Sequence, residues 1–252
     1  MKIQFCSDLH LEFKDNNAYL MQNPIQAIGD ILILAGDITY FGEKHFENCF
    51  FDDVSSKFQN VFWLPGNHEY YSGEDTVNIH LPMWREIRQN VFLINNETFE
   101  YNGVKFIFST LWTRLVYNLL PIKMILADFK RIKYQGKLID IENYNHFHKT
   151  SLDFLKNAFD TTQHPKIVTV THHIPTKSLV ADEFKGSTIN DAFNVELEKE
   201  IEIWQPNFWI YGHSHRNLSP YEIGKTKILT NQLGYVSSNE HNNFNHQLFF
   251  EI

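Results

Sequence analysis

Cysteine, positive charge and long apolar runs are all scarce in this sequence, and each shortage excludes a class of protein. Two cysteines, Cys6 and Cys49, occur among 252 residues, too few for a disulfide framework and without the C-x-x-C spacing of structural zinc. We interpret both as reduced core residues, because free cysteine is usually buried. No apolar run approaches the ~18 residues of a membrane-spanning helix, and no signal-peptide core precedes the first acidic residue. The sequence therefore predicts a cytoplasmic protein.

The shortage of positive charge bears on the substrate. The chain has 22 Lys and Arg against 30 Asp and Glu, a net charge of −8. Such a balance provides no basic surface for extended nucleic acid, and no basic track or further DNA-binding domain indicates a nuclease. A phosphate group would therefore need local positive charge, and bound metal is one source of it.

The composition favours one large core, since 43% of the residues are hydrophobic and 21% are charged. We see no internal repeat or linker, so we expect a single domain over residues 1–252. Short, almost continuously apolar runs predict buried strands at 2–7, 30–35, 61–64, 104–109, 166–170, 208–212 and 227–231, with a last strand in 246–252. Helical patterns lie around 43–57, 76–89, 146–159 and 195–203. This alternation predicts an α/β layered fold.

The stretch from Leu111 to Tyr144 differs from the rest of the chain in its residue pattern, because it mixes aromatic with basic residues and lacks clear periodicity. It is either a cap insertion over a site or a plain surface excursion. Arg114, Lys130 and Arg131 are candidates for binding an anionic substrate, or form a solvated basic face. Trp112 is a candidate for stacking on a substrate ring, with a core position as the alternative.

Polar motifs follow five of the predicted strands. They are Asp8-Leu9-His10, Gly36-Asp37, Gly66-Asn67-His68-Glu69, His172-His173 and Gly212-His213-Ser214-His215. Each motif alone is compatible with a turn or a helix cap. Because ligands of open α/β sheets bind beyond the carboxyl ends of the strands, the ordered set predicts one shared site.

The residue types at these strand ends are those of a metal centre. Two carboxylates, one amide and four imidazoles suit Mn, Fe, Zn or similar divalent ions, and thiolates are absent from the set. On extended backbone, the members of an Asp-x-His or His-x-His pair project to the same side, so both can reach a metal. Seven ligands exceed the need of one tetrahedral ion and fit two ions that share a bridging carboxylate.

The same ordered motifs resemble those of the calcineurin-like metallophosphoesterase superfamily, and the match spans residues 8 to 215. The resemblance implies a four-layer αββα sandwich of two mixed β-sheets flanked by helices, with the active-site loops at the C-terminal strand ends. We expect the last strands, in 227–231 and 246–252, to complete one of these sheets. Where relatives often have Asp after G-N-H, this chain has Glu69.

Carried over residue by residue, the resemblance implies two divalent metal ions. One ion would be held by Asp8, His10, Asp37 and His215, and the second by Asp37, Asn67, His172 and His213. Asp37 would then bridge the two ions. His173 would be a neighbour that supports the ligands or faces the phosphate. The remaining histidines, His45, His80, His146, His148, His164, His241 and His246, match no motif and are expected at the surface.

The implied activity is hydrolysis of a phosphomonoester or phosphodiester by attack of a metal-bridging hydroxide, with His68 as the catalytic acid. A small or nucleotide-like phosphoester is the expected substrate, since the arginines of protein phosphatases do not follow the central motifs here. The alternative is a metal-binding or protein-interaction scaffold on the same fold. Because every ligand and His68 are present, the sequence favours the enzyme.

Overall fold

The computed structural model describes residues 1–76 and 78–252, and two six-stranded mixed sheets form its centre. The first sheet has the order β14-β1-β2-β3-β5-β4. Its strands are β1 (Lys2–Cys6), β2 (Ile31–Ala35), β3 (Asn60–Leu64), β4 (Met83–Arg88), β5 (Val91–Asn95) and β14 (Phe249–Glu251). Strands β1, β2, β3 and β5 are parallel, and the two edge strands run antiparallel to them.

The second sheet repeats this plan in the order β12-β13-β11-β10-β7-β6. Its strands are β6 (Glu97–Tyr101), β7 (Val104–Ser109), β10 (Ile167–Thr171), β11 (Phe208–Tyr211), β12 (Tyr221–Ile223) and β13 (Thr226–Thr230). Again the four inner strands are parallel and the edges antiparallel. Parallel strands point their carboxyl ends in one direction, so each sheet has one edge where its loops gather.

Side chains alternate between the two faces of each sheet and thereby build three layers of core. Residues such as Phe5 and Phe106 fill the space between the sheets. On the outer faces, Trp63 packs with α1 (Lys14–Gln22) and α3 (Cys49–Lys57), and Trp209 packs with α6 (Ile141–Asp160) and α7 (Glu198–Trp204). A short α2 (Glu43–Phe46) precedes α3. These layers confirm the predicted αββα sandwich.

The helix predicted over 76–89 is wrong, because residues Met83–Arg88 form the edge strand β4. Val77, within that range, lies outside the described residues. Every residue of β4 is exposed or only partly buried. An edge strand that is only partly covered need not show the period-two apolar pattern by which strands are recognised, so this stretch carries no strand signal.

The last two strands do not complete one sheet, contrary to the prediction. Strand β13 pairs with β11 in the second sheet, whereas β14 pairs with β1 in the first. Phe250 points into the core between the sheets, and its neighbours Phe249 and Glu251 are exposed. That alternation fits the edge of either sheet equally well, so pattern alone cannot choose between them.

The two cysteines have different surroundings. Cys6 is buried in β1, as predicted, but Cys49 at the start of α3 is exposed, so the prediction of two core cysteines is wrong for Cys49. Among the described residues, no helix is both long enough and apolar enough to cross a membrane.

Residues 111–144 form a compact insertion with its own elements. It contains α4 (Leu119–Ile125), α5 (Asp128–Arg131), β8 (Lys133–Tyr134) and β9 (Lys137–Leu138). Trp112, Phe129 and Tyr144 form a core with Tyr70 and Tyr71, which follow β3. Trp112 is 1% exposed, so it is a core residue and does not present its ring to a substrate.

Candidate metal centre

The predicted ligands all lie in loops that follow β1, β2, β3, β10 and β11. Five of them have a left-handed backbone: Asp8 (φ 54°), His10 (φ 48°), Asp37 (φ 55°), His213 (φ 76°) and His215 (φ 53°). The expectation of extended backbone for the Asp-x-His and His-x-His pairs is therefore wrong. Such conformations cost about 1–2 kcal/mol per residue and cluster at functional sites, where the surrounding fold imposes them.

Four side chains form the first group of candidate ligands. One atom each of Asp8, His10, Asp37 and His215 lies within 4.8 Å of the others. The Nε2 atoms of His10 and His215 are 2.9 Å apart, and His215 Nε2 lies 3.3 Å from Asp8 Oδ1. Atoms that share one ion at ~2.0–2.1 Å lie roughly 3 Å apart, so these spacings fit a common ion.

The second group consists of Asp37, His172 and His213, with Asn67 beside them. His172 Nε2 lies 3.3 Å from Asp37 Oδ1, 3.1 Å from His213 Nδ1 and 3.3 Å from Asn67 Oδ1. Asp37 Oδ2, in turn, lies 3.9 Å from His10 Nε2 of the first group. One carboxylate thus directs one oxygen towards each group.

Hydrogen bonds fix which nitrogen three of the four imidazoles turn towards the groups. His172 Nδ1 donates to the carbonyl of Ala35 at 3.0 Å. His215 Nδ1 donates to Glu240 Oε2 at 2.7 Å, and His10 Nδ1 donates to Glu12 Oε1 at 3.2 Å. In the neutral ring, each bond keeps the proton on Nδ1 and leaves Nε2 able to bind a cation, which is the usual arrangement around ligating histidines.

Asn67 is held in the same manner. Its amide nitrogen donates to Asp128 Oδ1 and to the Tyr71 hydroxyl, both at 2.9 Å. The hydroxyl of Tyr71 also donates to Asp128. With both amide hydrogens engaged, the side-chain oxygen of Asn67 is the atom directed towards His172.

Glycine 66 permits this close packing. A Cβ atom there would lie 2.2 Å from Asp37 Oδ1 and 2.6 Å from His172 Nε2. Its backbone is not left-handed, so glycine is required for space. The G-N-H motif therefore contains a packing requirement in addition to its ligand.

The electrostatics of the centre favour a bound cation. Burial lowers the pKa of His172, but the Asp37 carboxylate overrides that effect and raises it to about 9. Burial likewise opposes protonation of His215, yet its bonds to Asp8 and Glu240 raise its pKa to about 10. Buried carboxylates thus attract positive charge to both groups. Together with oxygen and imidazole donors, this environment fits divalent ions such as Mn, Fe or Zn.

Glu69 ties the motif loops together. This fully buried carboxylate accepts the backbone N–H groups of Asp37 (3.1 Å), Ile38 (2.8 Å) and Gly66 (2.7 Å), and the indole N–H of Trp63 (3.0 Å). Burial and the nearby Asp37 raise the pKa of Glu69, while these donors favour its ionised form. Asp37 and the G-N-H loop are consequently held by one side chain.

His68 lies at the edge of the centre. Its backbone N–H donates to Asp37 Oδ1 at 2.9 Å, its Nδ1 donates to Glu12 Oε1 at 3.0 Å, and its Nε2 is 3.4 Å from the Tyr235 hydroxyl. Burial opposes protonation, but the Asp37 and Glu12 carboxylates outweigh it and raise the pKa of His68. The ring is therefore suited to donate a proton from Nε2 into the cleft.

A cleft of about 280 Å³ opens above these residues. Its polar wall is formed by Asp37, Asn67, His68, Asp128, His213, Ser214, His215, Arg216, Tyr235 and Glu240. The rest of the lining consists of Tyr71, Ile125, Leu126, Ala127, Phe184, Ile189, Ala192 and Phe193. Residues 125–128 of the 111–144 segment thus line the cleft.

Several other expectations are settled by position. His173 is buried and lies outside the cleft lining; its ring packs against that of His213, with centroids 4.2 Å apart, and its Nδ1 donates to the Thr110 carbonyl. His148 is also buried, and its Nδ1 donates to the carbonyl of Trp112, so its predicted surface position is wrong. The other six unmatched histidines are at least partly exposed.

The basic residues of the insertion lie away from the centre. Arg114 and Lys130 are exposed and do not line the cleft. Arg131 is exposed too, but its guanidinium lies 5.8 Å from the ring of Tyr71, at the rim.

Sequence reasoning missed the carboxylates that hold the centre in place, namely Glu12, Asp128 and Glu240. Glu12 carried a local signal, because it continues the alternation of Asp8 and His10. Asp128 and Glu240 had none, since they lie 61 and 25 residues from their partners Asn67 and His215.

The fold and the cleft define a class, the metal-dependent phosphoesterases. The sequence model described as calcineurin-like phosphoesterase matches residues 1–217. The chain belongs to this family and is a hydrolase that acts on phosphoester bonds.

One protein of similar sequence and one solved structure can be compared with the chain. It is 32% identical over 281 residues to the uncharacterized protein L509 of Acanthamoeba polyphaga mimivirus, covering 99% of this chain and 96% of that protein. Among solved structures, it is similar to the phosphopantetheinyl hydrolase PptH from Mycobacterium tuberculosis, with a TM-score of 0.68, 15% identity, and coverage of 96% of this chain and 91% of that one. At that identity, the second likeness concerns the fold alone.

Proposed function

We propose that this protein hydrolyses a small phosphomonoester or phosphodiester with two divalent ions. The ligands are Asp8, His10, Asp37 and His215 for one ion, and Asp37, Asn67, His172 and His213 for the other. The position of Asp37 carries this proposal. Its Oδ1 lies 3.3 Å from His172 Nε2 and its Oδ2 lies 3.9 Å from His10 Nε2, so it stands between the two groups.

When bound, the ions supply positive charge for the phosphate oxygens and lower the pKa of coordinated water. The residues of the chain hold the proposed metal ligands in position. Glu69 holds the Asp37 and Gly66 loops, and Asp128 fixes the amide of Asn67. Because these supports are hydrogen-bonded and buried, the ligand set needs little rearrangement to bind cations.

His68 is the proposed catalytic acid. Its Nδ1 is engaged by Glu12, so Nε2 is the nitrogen that can donate to the leaving oxygen. The neighbouring carboxylates favour the imidazolium. Proton donation by a positioned side chain contributes ~10²–10⁴-fold to such reactions.

The lining of the cleft supports a small substrate. Among its described residues, Arg216 is the single side chain with a permanent positive charge, and it is paired with Glu183 and Glu240. A polyanionic strand would find little to bind there. We therefore propose a substrate whose charge is concentrated at the phosphoryl group that is cleaved.

The test is a parallel assay of metal-stripped protein with bis-p-nitrophenyl phosphate and p-nitrophenyl phosphate, with Mn²⁺ added or withheld. We expect turnover only with metal, reduced to background in Asp37→Asn and unchanged in Asp153→Asn, an exposed aspartate paired with Lys149. The faster substrate identifies the ester class. A protein that binds no metal, or that turns over equally well with Asp37→Asn, would contradict the proposal.

A further inference from the structure

A second cavity opens beside the metal cleft. Its volume is about 120 Å³. The lining is mostly apolar and consists of Ile174, Val180, Ala181, Phe184, Ile189 and Phe193, with Ser187, Asn190 and Ser214 at its polar points. It is formed by the segment between β10 and α7, which is distinct from the insertion at 111–144.

This cavity, which we call the apolar pocket, shares part of its lining with the cleft. Phe184, Ile189, Phe193 and Ser214 line both spaces. Ser214 stands between His213 and His215 in the chain, and the ring of Phe193 lies 4.8 Å from that of His213. The pocket therefore lies next to the space that a phosphate at the candidate ligands would occupy.

The charges of the lining limit which chemical groups of a substrate can bind in the pocket. The one permanent cation among the described cleft residues, Arg216, already contacts two carboxylates, those of Glu183 and Glu240. Additional phosphate or carboxylate groups on the substrate would find no free cation in this lining. An uncharged organic group, by contrast, gains by leaving water for an apolar wall.

We propose that the apolar pocket binds an uncharged, apolar part of the organic group of the phosphoester substrate. The substrate class is then a phosphoester of an alcohol that carries a chain or branch of several carbons. This inference rests on the proposed function, because the metal cleft must hold the phosphoryl group while the pocket holds the carbons.

The test uses a series of ligands that differ only in chain length. Affinities of methyl-, butyl- and hexylphosphonate for the Mn²⁺-loaded protein are measured by titration calorimetry. We expect them to rise about fourfold for each methylene that enters the pocket, the usual gain for burying that group. The same order is expected in kcat/KM for the matching alkyl p-nitrophenyl phosphates.

Three substitutions locate the effect. Ala181→Leu fills the pocket and should bring the ratio of hexyl to methyl affinity close to one. Ala181→Ser keeps the volume and should retain most of that ratio. Ala18→Leu makes the same size change on the exposed face of α1 and should leave the ratio unaltered.

The outcomes separate the two proposals. Phosphonates that do not bind, affinities that do not depend on chain length, or a ratio that survives in Ala181→Leu would overturn the pocket assignment. Turnover that does not depend on chain length would contradict the pocket assignment but would still support the proposed phosphoesterase function. Chain-dependent binding of phosphonates without turnover of any ester would support the pocket and contradict the proposed function.

Discussion

Glu12 joins two histidines that have different proposed roles. Its Oε1 accepts from Nδ1 of His10, a proposed metal ligand, at 3.2 Å and from Nδ1 of His68, the proposed acid, at 3.0 Å. The side chain of Glu12 is 2% exposed. One buried carboxylate thus sets the orientation of both rings, and the burial of those bonds makes them strong.

Glu12→Gln should lower kcat/KM for bis-p-nitrophenyl phosphate ~10–100-fold, the usual effect of removing a group that orients metal ligands. The amide is neutral and stabilises the imidazolium of His68 less than a carboxylate does. Metal content, measured by mass spectrometry, should fall less than activity, because only His10 among the ligands loses its partner. Glu43→Gln, at an exposed pair with Arg85, is the matched control. Equal activity in both variants would show that Glu12 does not orient His10 and His68 for catalysis.

Single residues were predictable where a local motif carried them. The structure brings the seven predicted ligands together beside His68, and each belongs to a motif of two to four residues. Glu240 was not predictable, since it reaches His215 only through the fold of the segment after β13. The roles of the seven residues as metal ligands and of His68 as the acid remain predictions.

At the scale of elements, α5 of the insertion is tied to the metal centre. Asp128, at the first turn of α5, is fully buried and accepts from the Asn67 amide and the Tyr71 hydroxyl. The residues before it, 125–127, form part of the cleft wall. The insertion therefore both lines the cleft and orients a proposed ligand.

Asp128→Ala should weaken metal binding ~10–100-fold, because Asn67 loses the bond that fixes its amide. Titration calorimetry with Mn²⁺ resolves the effect on the two sites. Asp140→Ala removes the N-cap of α6 in the same region and costs about 1 kcal/mol of stability. If both variants bind Mn²⁺ as tightly as the unaltered chain does, Asp128 does not contribute to metal binding.

Elements were predictable where burial imposed a pattern. Seven of the eight inner parallel strands were found within a residue or two because of their apolar runs, namely β1, β2, β3, β7, β10, β11 and β13. The eighth, β5, was missed, although four of its five residues are buried. Edge strand β4 was predicted as a helix because it lacks such burial. The pairing of β14 with β1 rests on contacts between residues at opposite ends of the chain, which no local pattern reports.

For the whole molecule, the centre joins the two sheets. Asp8, His10, Asp37 and Asn67 follow strands of the first sheet, and His172, His213 and His215 follow strands of the second. The order of strands in each sheet brings these loops to a common edge. Ions bound there would link the sheets directly.

Metal should therefore stabilise the fold as a whole. At free Mn²⁺ of about 100 times Kd, binding to the native state adds ~2.7 kcal/mol for each site. We expect the unfolding temperature in calorimetry to rise by several degrees with Mn²⁺ and to fall again with a chelator. Asp37→Asn should lose most of this rise while keeping a single unfolding transition. A rise of the same size in that variant would mean that the ions bind elsewhere.

The most direct measurement is anomalous diffraction from crystals grown with Mn²⁺, recorded near the manganese edge. We predict two anomalous peaks ~3.5–4 Å apart, one beside Asp8 and His215 and one beside Asn67 and His172, with Asp37 between them. A single peak, no peak, or peaks remote from these residues would contradict this prediction.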